Sequence, residues 1–211
     1  MVSIIILCRN YEHYLKQALD SANNQTFQNC EVIVAHDSCG QPFQKDHPQG
    51  EARMRNITTE QAKGEYILYL DSDDWLEPDA VDKLFAQAEQ DTVVTCNAQF
   101  FEDSQFLFKA GSGQNKFAPK DFLTENRTTV TALLPKKIWR EVGGFDTQCP
   151  GWPDWEFWIR VAWKGFKFKW VDEALFHYRI HQDSEGHRIH DKGTVGIDYL
   201  KRKHKDKFAT L

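Results

Sequence analysis

Three short, strongly apolar runs punctuate the first 70 residues, and helical patterns separate them. "VSIIIL" is a continuous apolar run rich in β-branched residues, as strands buried on both faces are, and "EVIVA" and "YILYL" read as a second and a third strand. Between the first two, residues Glu12 to Ala22 place Leu15, Ala18, Leu19 and Ala22 on one helical stripe. Between the second and third, "GEARMRNITTEQAKG" reads as a helix that stops at Gly64 with a glycine C-cap. Pro78 then opens a helix through Val81, Leu84, Phe85 and Ala88. An order of β-α-β-α-β-α restricts the chain to an α/β architecture, a mostly parallel central sheet with helices on both faces.

The second half is less regular. "TVVTCNAQFF" and "QFLFKAG" read as strands around an acidic turn, residues Gly111 to Lys116 as a loop, and "TTVTALLP" as a further strand. "PKKIWREVGGF" is a short helix with a stop at Gly143 and Gly144, and "PDWEFWIRVAWKG" a helix with Trp155, Trp158, Ile159 and Ala162 on its apolar face. "FKFKWV" and "ALFHYRI" look like two more strands, followed by a basic tail from Asp191 to Lys207 with helical potential. With 211 residues and no repeat or convincing linker, one domain is expected. Two subregions are expected within it, about residues 1–100 and about 101–211.

Open parallel sheets bind ligands beyond the carboxyl ends of their strands. Past strand one lie Cys8, Arg9 and Asn10; past strand two, His36, Asp37 and Ser38; past strand three, Asp71, Ser72, Asp73 and Asp74. Three carboxylates in four residues repel one another unless a cation is present. Mg²⁺ or Mn²⁺ would remove that repulsion while also binding phosphate oxygens. The plainer alternative is a solvated acidic turn ahead of the Pro78 helix.

The ordered set "VSIIILCRNYEHYLKQALDSANNQTFQNCEVIVAHDS", "RNITTEQAKGEYILYLDSDDWLEPDAV", "EVGGFDTQ", "PDWEFWIR" and "FHYRIHQDS", spread over about residues 2–184, resembles a family 2 glycosyltransferase of the GT-A fold. The resemblance implies a Rossmann-like sheet with a smaller acceptor-side subregion. It also implies transfer of a sugar from a nucleotide-sugar donor, with a divalent metal, Mn²⁺ or Mg²⁺, on the diphosphate. By position, Leu7, Arg9, Asn10, Asp37, Arg55, Asp71, Ser72 and Asp73 would meet the donor. Asp37 resembles the acid that binds the base, which points to UDP; Asp71 resembles the acid at the ribose, and Asp73 the direct metal ligand. Asp71 and His181 would complete the metal set, with His177 as the alternative histidine. Two departures stand out: His36 replaces a usual acid, and Arg9 stands where an aromatic often faces the base. A guanidinium can stack on a base as well. Arg53 and Asn56, on the same helix as Arg55, could reach base or phosphate.

Asp154 occupies the family's catalytic-base position and would take the acceptor hydroxyl's proton. It also sits at a helix start, where an acid is stabilised without any catalytic role. Glu156 is the alternative base. The resemblance implies an inverting course; Pro153 stands where the family often has a second acid, a departure that leaves a retaining course open. Trp152 and Trp155 are expected to shape the acceptor site through indole faces, against a core-packing alternative.

Composition closes off other classes. The 26 basic and 31 acidic side chains give a net charge of −5, which argues against a general nucleic-acid grip. No apolar run approaches the roughly 18 residues of a membrane span, and no basic segment precedes the first strand as a secretory leader would require. The five cysteines, Cys8, Cys30, Cys39, Cys96 and Cys149, form no CxxC pair. Reduced thiols and a cytoplasmic setting are therefore expected. His187 and His190 read as surface histidines rather than as a zinc cluster. A nucleotidyltransferase of related fold is the enzymatic rival, although "LCRNYEH" lacks the glycine of a phosphate loop. A non-catalytic sugar-binding module is the other. The partners expected are a UDP-sugar and a glycan or other hydroxyl acceptor, on a chain that could belong to a longer multidomain protein.

Overall fold

Every residue of β1 (Val2–Cys8) is buried, because the strand faces apolar side chains on both sides. Ile5 and Leu7 point into one core with Ala52, Phe122, Ile138 and Phe157. Val2, Ile4 and Ile6 point into the other with Ala18, Ala22, Val81 and Leu84. The computed structural model describes residues 1–8, 12–36, 50–102, 105–110, 117–181 and 195–211.

β2 (Cys30–His36) and β3 (Tyr66–Asp71) flank β1 in parallel, with Cys8 opposite His36 and Leu7 opposite Asp71. Helix α1 (Glu12–Asn23) covers one face and α2 (Gly50–Gln61) the other. The sheet continues through β7 (Leu133–Pro135), β5 (Thr92–Glu102) and β8 (Lys167–Ile180) to β4 (Trp75–Leu76), and β6 (Gln105–Ala110) pairs off β5. β1, β2, β3, β5 and β8 share one direction, whereas β4, β6 and β7 oppose them. The expected α/β fold is present with a mostly parallel sheet, so the ends of β1, β2 and β3 share one rim. Helices α3 (Ala80–Phe85), α4 (Asp121–Thr124), α5 (Lys136–Val142) and α6 (Pro153–Trp163) complete the layers. α7 (residues 195–203) and α8 (Lys205–Phe208) follow. Among the described residues no helix is long and apolar enough to cross a membrane.

Several local expectations are corrected. α2 stops at Gln61, and Gly64 is not its left-handed cap. Gly64 is required by close approach instead: a Cβ there would lie 2.5 Å from Ser3 Oγ, which accepts the Gly64 N–H at 2.8 Å. α3 starts two residues after Pro78 and ends before Ala88. "TTVTALLP" contributes only its last three residues as strand. "FKFKWV" and "ALFHYRI" are one long strand, whose register against β5 shifts around Asn97 and absorbs the Asp172–Glu173 interruption. The glycine stop of α5 is as expected: Gly143 takes φ 83°, and the Gly143 and Gly144 N–H groups return to Arg140 and Trp139. Cys30, Cys96 and Cys149 are free thiols.

Candidate active site

The end of β3 delivers Asp71 to the rim, and the chain turns there, with the Asp74 N–H donating to the Asp71 carbonyl at 3.1 Å. Ser72 donates its N–H to the Leu7 carbonyl at 3.3 Å, which ties the turn to the end of β1. The Leu7 side chain is in the core, so only its backbone belongs to the rim. Ser72 is 1% exposed, and among the described residues its hydroxyl has no hydrogen-bond partner.

The three carboxylates of this turn have different surroundings. Asp71 Oδ1 accepts from Arg55 Nη2 at 2.9 Å. Arg55 is itself buried on α2 and meets Glu51 at 3.4 Å. Burial works against the guanidinium charge, but Asp71, Glu51 and Asp154 outweigh it and fix Arg55 as a cation. Asp73 Oδ2 lies 3.1 Å from His181 Nε2. Burial, then the charge of Asp71, pushes the Asp73 carboxyl above the usual range, and His181 acts in the opposite sense. Asp74 is the most enclosed: its Oδ1 accepts the Arg179 N–H at 2.9 Å, and burial with the charges of Asp73 and Asp71 raises its carboxyl strongly.

Across the rim stands α6. Its cap residue Trp152 holds φ 59° and ψ 49°, a left-handed conformation that is costly for a bulky side chain. Gly196 of α7 packs against its indole so closely that a Cβ would come within 2.6 Å of Trp152 Cδ1. Asp154 follows in the first turn, and its Oδ2 accepts from Asn126 Nδ2 at 2.8 Å. Burial raises the Asp154 carboxyl; Arg55 and Asn126 pull it down, and the charge of Asp71 adds to the rise. Asp71, Arg55, Asp154, Asn126, Trp152 and Tyr178 line one cavity of about 220 Å³.

The residues named from sequence thus sort into groups. Asp71, Arg55 and Asp154 meet at the cavity, and Asp73 on the adjoining turn faces His181 at the end of β8. Asp71 is committed to Arg55 through Oδ1, and among the described residues no cluster of three or more His, Cys, Asp or Glu side chains forms a ready metal cage. The alternative base Glu156 is excluded by its surroundings. It is fully buried and held by Arg160 at 2.7 Å, Lys203 at 2.8 Å and His204 at 3.0 Å. Burial alone would raise its pKa, but these cations and donors take it down to about 2. Asn56 serves the fold: it donates to the Phe145 carbonyl at 2.8 Å and accepts the Phe145 N–H at 2.8 Å. Arg53 is exposed. His177 stacks on Trp75 at 4.5 Å and meets Glu77 at 2.9 Å, away from Asp73. Trp155 donates to the Phe122 carbonyl at 2.5 Å and packs on the core, so of the two indoles only Trp152 faces the cavity. Arg9, Asn10 and Asp37, together with the flanking His36 side chain, Ser38, Cys39, His187 and His190, lie outside the described residues.

Two residues escaped the sequence reading. Asn126 sits in a threonine-rich stretch with no signal of its own. Arg179 lies inside the quoted "FHYRIHQDS", two residues before His181, where the histidine drew the attention.

This fold is that of the GT-A glycosyltransferases. Solved structures of Staphylococcus aureus TarS with UDP-GlcNAc (TM-score 0.68, 16% identity, 87% of this chain and 59% of that one) and of the mannosyltransferase PcManGT from Pyrobaculum calidifontis with GDP-Man and Mn²⁺ (TM-score 0.62, 18% identity, 89% and 59%) share the architecture. Residues 20–184 match the family described as glycosyltransferase like family 2, and the chain belongs to it. Among curated relatives, EpsH of Bacillus subtilis is 28% identical over 226 residues, covering 90% of this chain and 64% of EpsH. The chondroitin synthase of Pasteurella multocida is 26% identical over 204 residues, covering 87% of this chain and 21% of the synthase. The chain therefore spans less than two thirds of the length of either relative.

Proposed function

We propose that this chain is a metal-dependent glycosyltransferase domain that moves a sugar from a UDP-sugar to an acceptor hydroxyl with inversion. The observation that carries this reading is the placement of Asp154, with its raised carboxyl, across one cavity from Asp71 and Arg55 at the strand-end rim. Family membership and the nucleotide-sugars seen in the structural neighbours support the donor class. The resemblance at Asp37 favours uridine over guanosine. The donor would lie along the rim in the half formed by about residues 1–100, and the acceptor against Trp152 and α6 in the half formed by about residues 101–211.

The donor set suits a hard divalent ion such as Mn²⁺ or Mg²⁺. Asp73 and His181 offer facing oxygen and nitrogen atoms 3.1 Å apart, in a turn where burial and Asp71 penalise uncompensated negative charge. These two residues would hold the ion together with diphosphate oxygens, and when bound it offsets charge on the departing nucleoside diphosphate. Asp154 accepts the proton of the acceptor hydroxyl as that oxygen attacks the anomeric carbon. Asn126 fixes the orientation of the carboxylate, and Arg55 keeps Asp71 in place beside it. Attack from the side opposite the leaving diphosphate gives inversion.

The test is incubation with Mn²⁺ and a panel of nucleotide sugars, followed by assay of free nucleoside diphosphate and of pyrophosphate. Release of UDP from a UDP-sugar is expected. Pyrophosphate formed from a sugar phosphate and UTP would identify a nucleotidyltransferase, and no product with any donor would leave a binding module.

A further inference from the structure

Arg179 has an environment that its position on a strand does not require. Its guanidinium lies 4.4 Å from the centre of the Tyr14 ring and 4.8 Å from that of Trp75, two aromatic residues from α1 and β4. Its Nε donates to the Asp73 main-chain carbonyl at 2.9 Å, one Nη donates to Gln17 Oε1 at 2.6 Å, and its own backbone N–H holds Asp74 Oδ1 at 2.9 Å. One buried residue thus grips the turn after β3 at two successive positions, the Asp73 carbonyl and the Asp74 carboxylate. The planar fork between two rings has little rotational freedom, so the Asp73 carbonyl is fixed relative to α1 and β8. His181, two residues further along the same segment, is carried to Asp73 by the same anchor.

We infer that Arg179 is a positioning residue for the donor site: its guanidinium, held by Tyr14, Trp75 and Gln17, fixes the Asp73 main-chain carbonyl and so sets the Asp73–His181 pair at the geometry that captures a divalent cation with a nucleoside diphosphate. This inference rests on the proposed metal-dependent donor binding. Arg179 itself touches neither metal nor nucleotide. A lysine at this position keeps the charge but cannot donate along the fork or stack as a plane. The turn then loses its hold on Asp73 while Asp71, Asp73 and His181 all remain.

The experiment is calorimetric titration of UDP into the protein with and without Mn²⁺, for wild type, Arg179→Lys and Gln17→Ala, alongside thermal melting. Gln17 is exposed on α1, so its replacement leaves the fold intact if Arg179→Lys does not fold. In wild type, Mn²⁺ is expected to tighten UDP binding. In Arg179→Lys the Mn²⁺-dependent gain should fall roughly tenfold, the size of one lost charge-assisted hydrogen bond. In Gln17→Ala it should fall about two- to threefold, with Mn²⁺-free UDP affinity unchanged in both. A residue with only a structural role would lower the melting temperature and leave the Mn²⁺-dependent gain intact. That result in Arg179→Lys, or in Gln17→Ala if the former is insoluble, would overturn the inference while sparing the donor-site reading. Absence of any Mn²⁺ effect in wild type would overturn both.

Discussion

Asn126 donates its side-chain N–H to Oδ2 of Asp154 across 2.8 Å, joining the threonine-rich loop before β7 to the first turn of α6. A hydrogen bond to a carboxylate favours its ionised form. Asp154 must be ionised to take a proton, so activity should fall as the pH drops through its pKa. Burial, with the charge of Asp71, places that limb above the ordinary carboxylate value of 3.8, against the pull of Arg55 and Asn126. Asn126→Ala removes one stabilising partner, and the acid limb of kcat/KM should move to higher pH. A pH–rate profile checks this; an unmoved limb would contradict the role of Asn126.

The donor side is tested at Asp73. Asp73→Ala should abolish the Mn²⁺-dependent part of UDP binding, because one of the two facing donor atoms is lost. Asp71→Ala should weaken donor binding less, since its Oδ1 is engaged by Arg55. Equal UDP affinity in wild type and Asp73→Ala, measured calorimetrically with Mn²⁺ present, would contradict the assignment.

Glu156 should govern stability rather than chemistry. Its pKa falls from the ordinary 4.5 to about 2 in the folded chain, equivalent to about 3 kcal/mol. A depressed carboxyl contributes that stability above pH 4.5 and loses it as the pH falls toward 2. Glu156→Gln should therefore lower the melting temperature markedly at pH 7, with the difference from wild type narrowing as the pH is taken down through 4 towards 3. Identical melting at pH 7 would contradict the network of Arg160, Lys203 and His204.

The parts legible in sequence are those whose signal is local. β1 and β3 were readable because burial on both faces demands unbroken apolar runs, and Asp71 to Asp74 stood out because they follow one of them. The Gly143–Gly144 stop was readable because a left-handed cap favours glycine. β8 was divided in two because Asp172 and Glu173 interrupt its apolar pattern, and a register shift against β5 lets one strand carry them. β4 is two residues long and leaves no periodic trace. Asn126 and Arg179 gain their roles from partners 28 and more than 100 residues away, so neither could be found by spacing alone. Asn56 looks able to reach the ligand because it sits one residue from Arg55, but α2 turns it toward Phe145.

The account turns on Asp154 as the group that activates the acceptor. Asp154→Asn preserves shape and the contact with Asn126 can re-form, but the side chain can no longer accept a proton. The direct measurement is release of UDP from a turned-over UDP-sugar, with UDP-sugar affinity determined on the same preparations. The expected result is donor affinity close to wild type with turnover reduced by ~10²–10⁴-fold, the usual contribution of a general base. An Asp154→Asn protein that turns over at the wild-type rate would contradict the central claim.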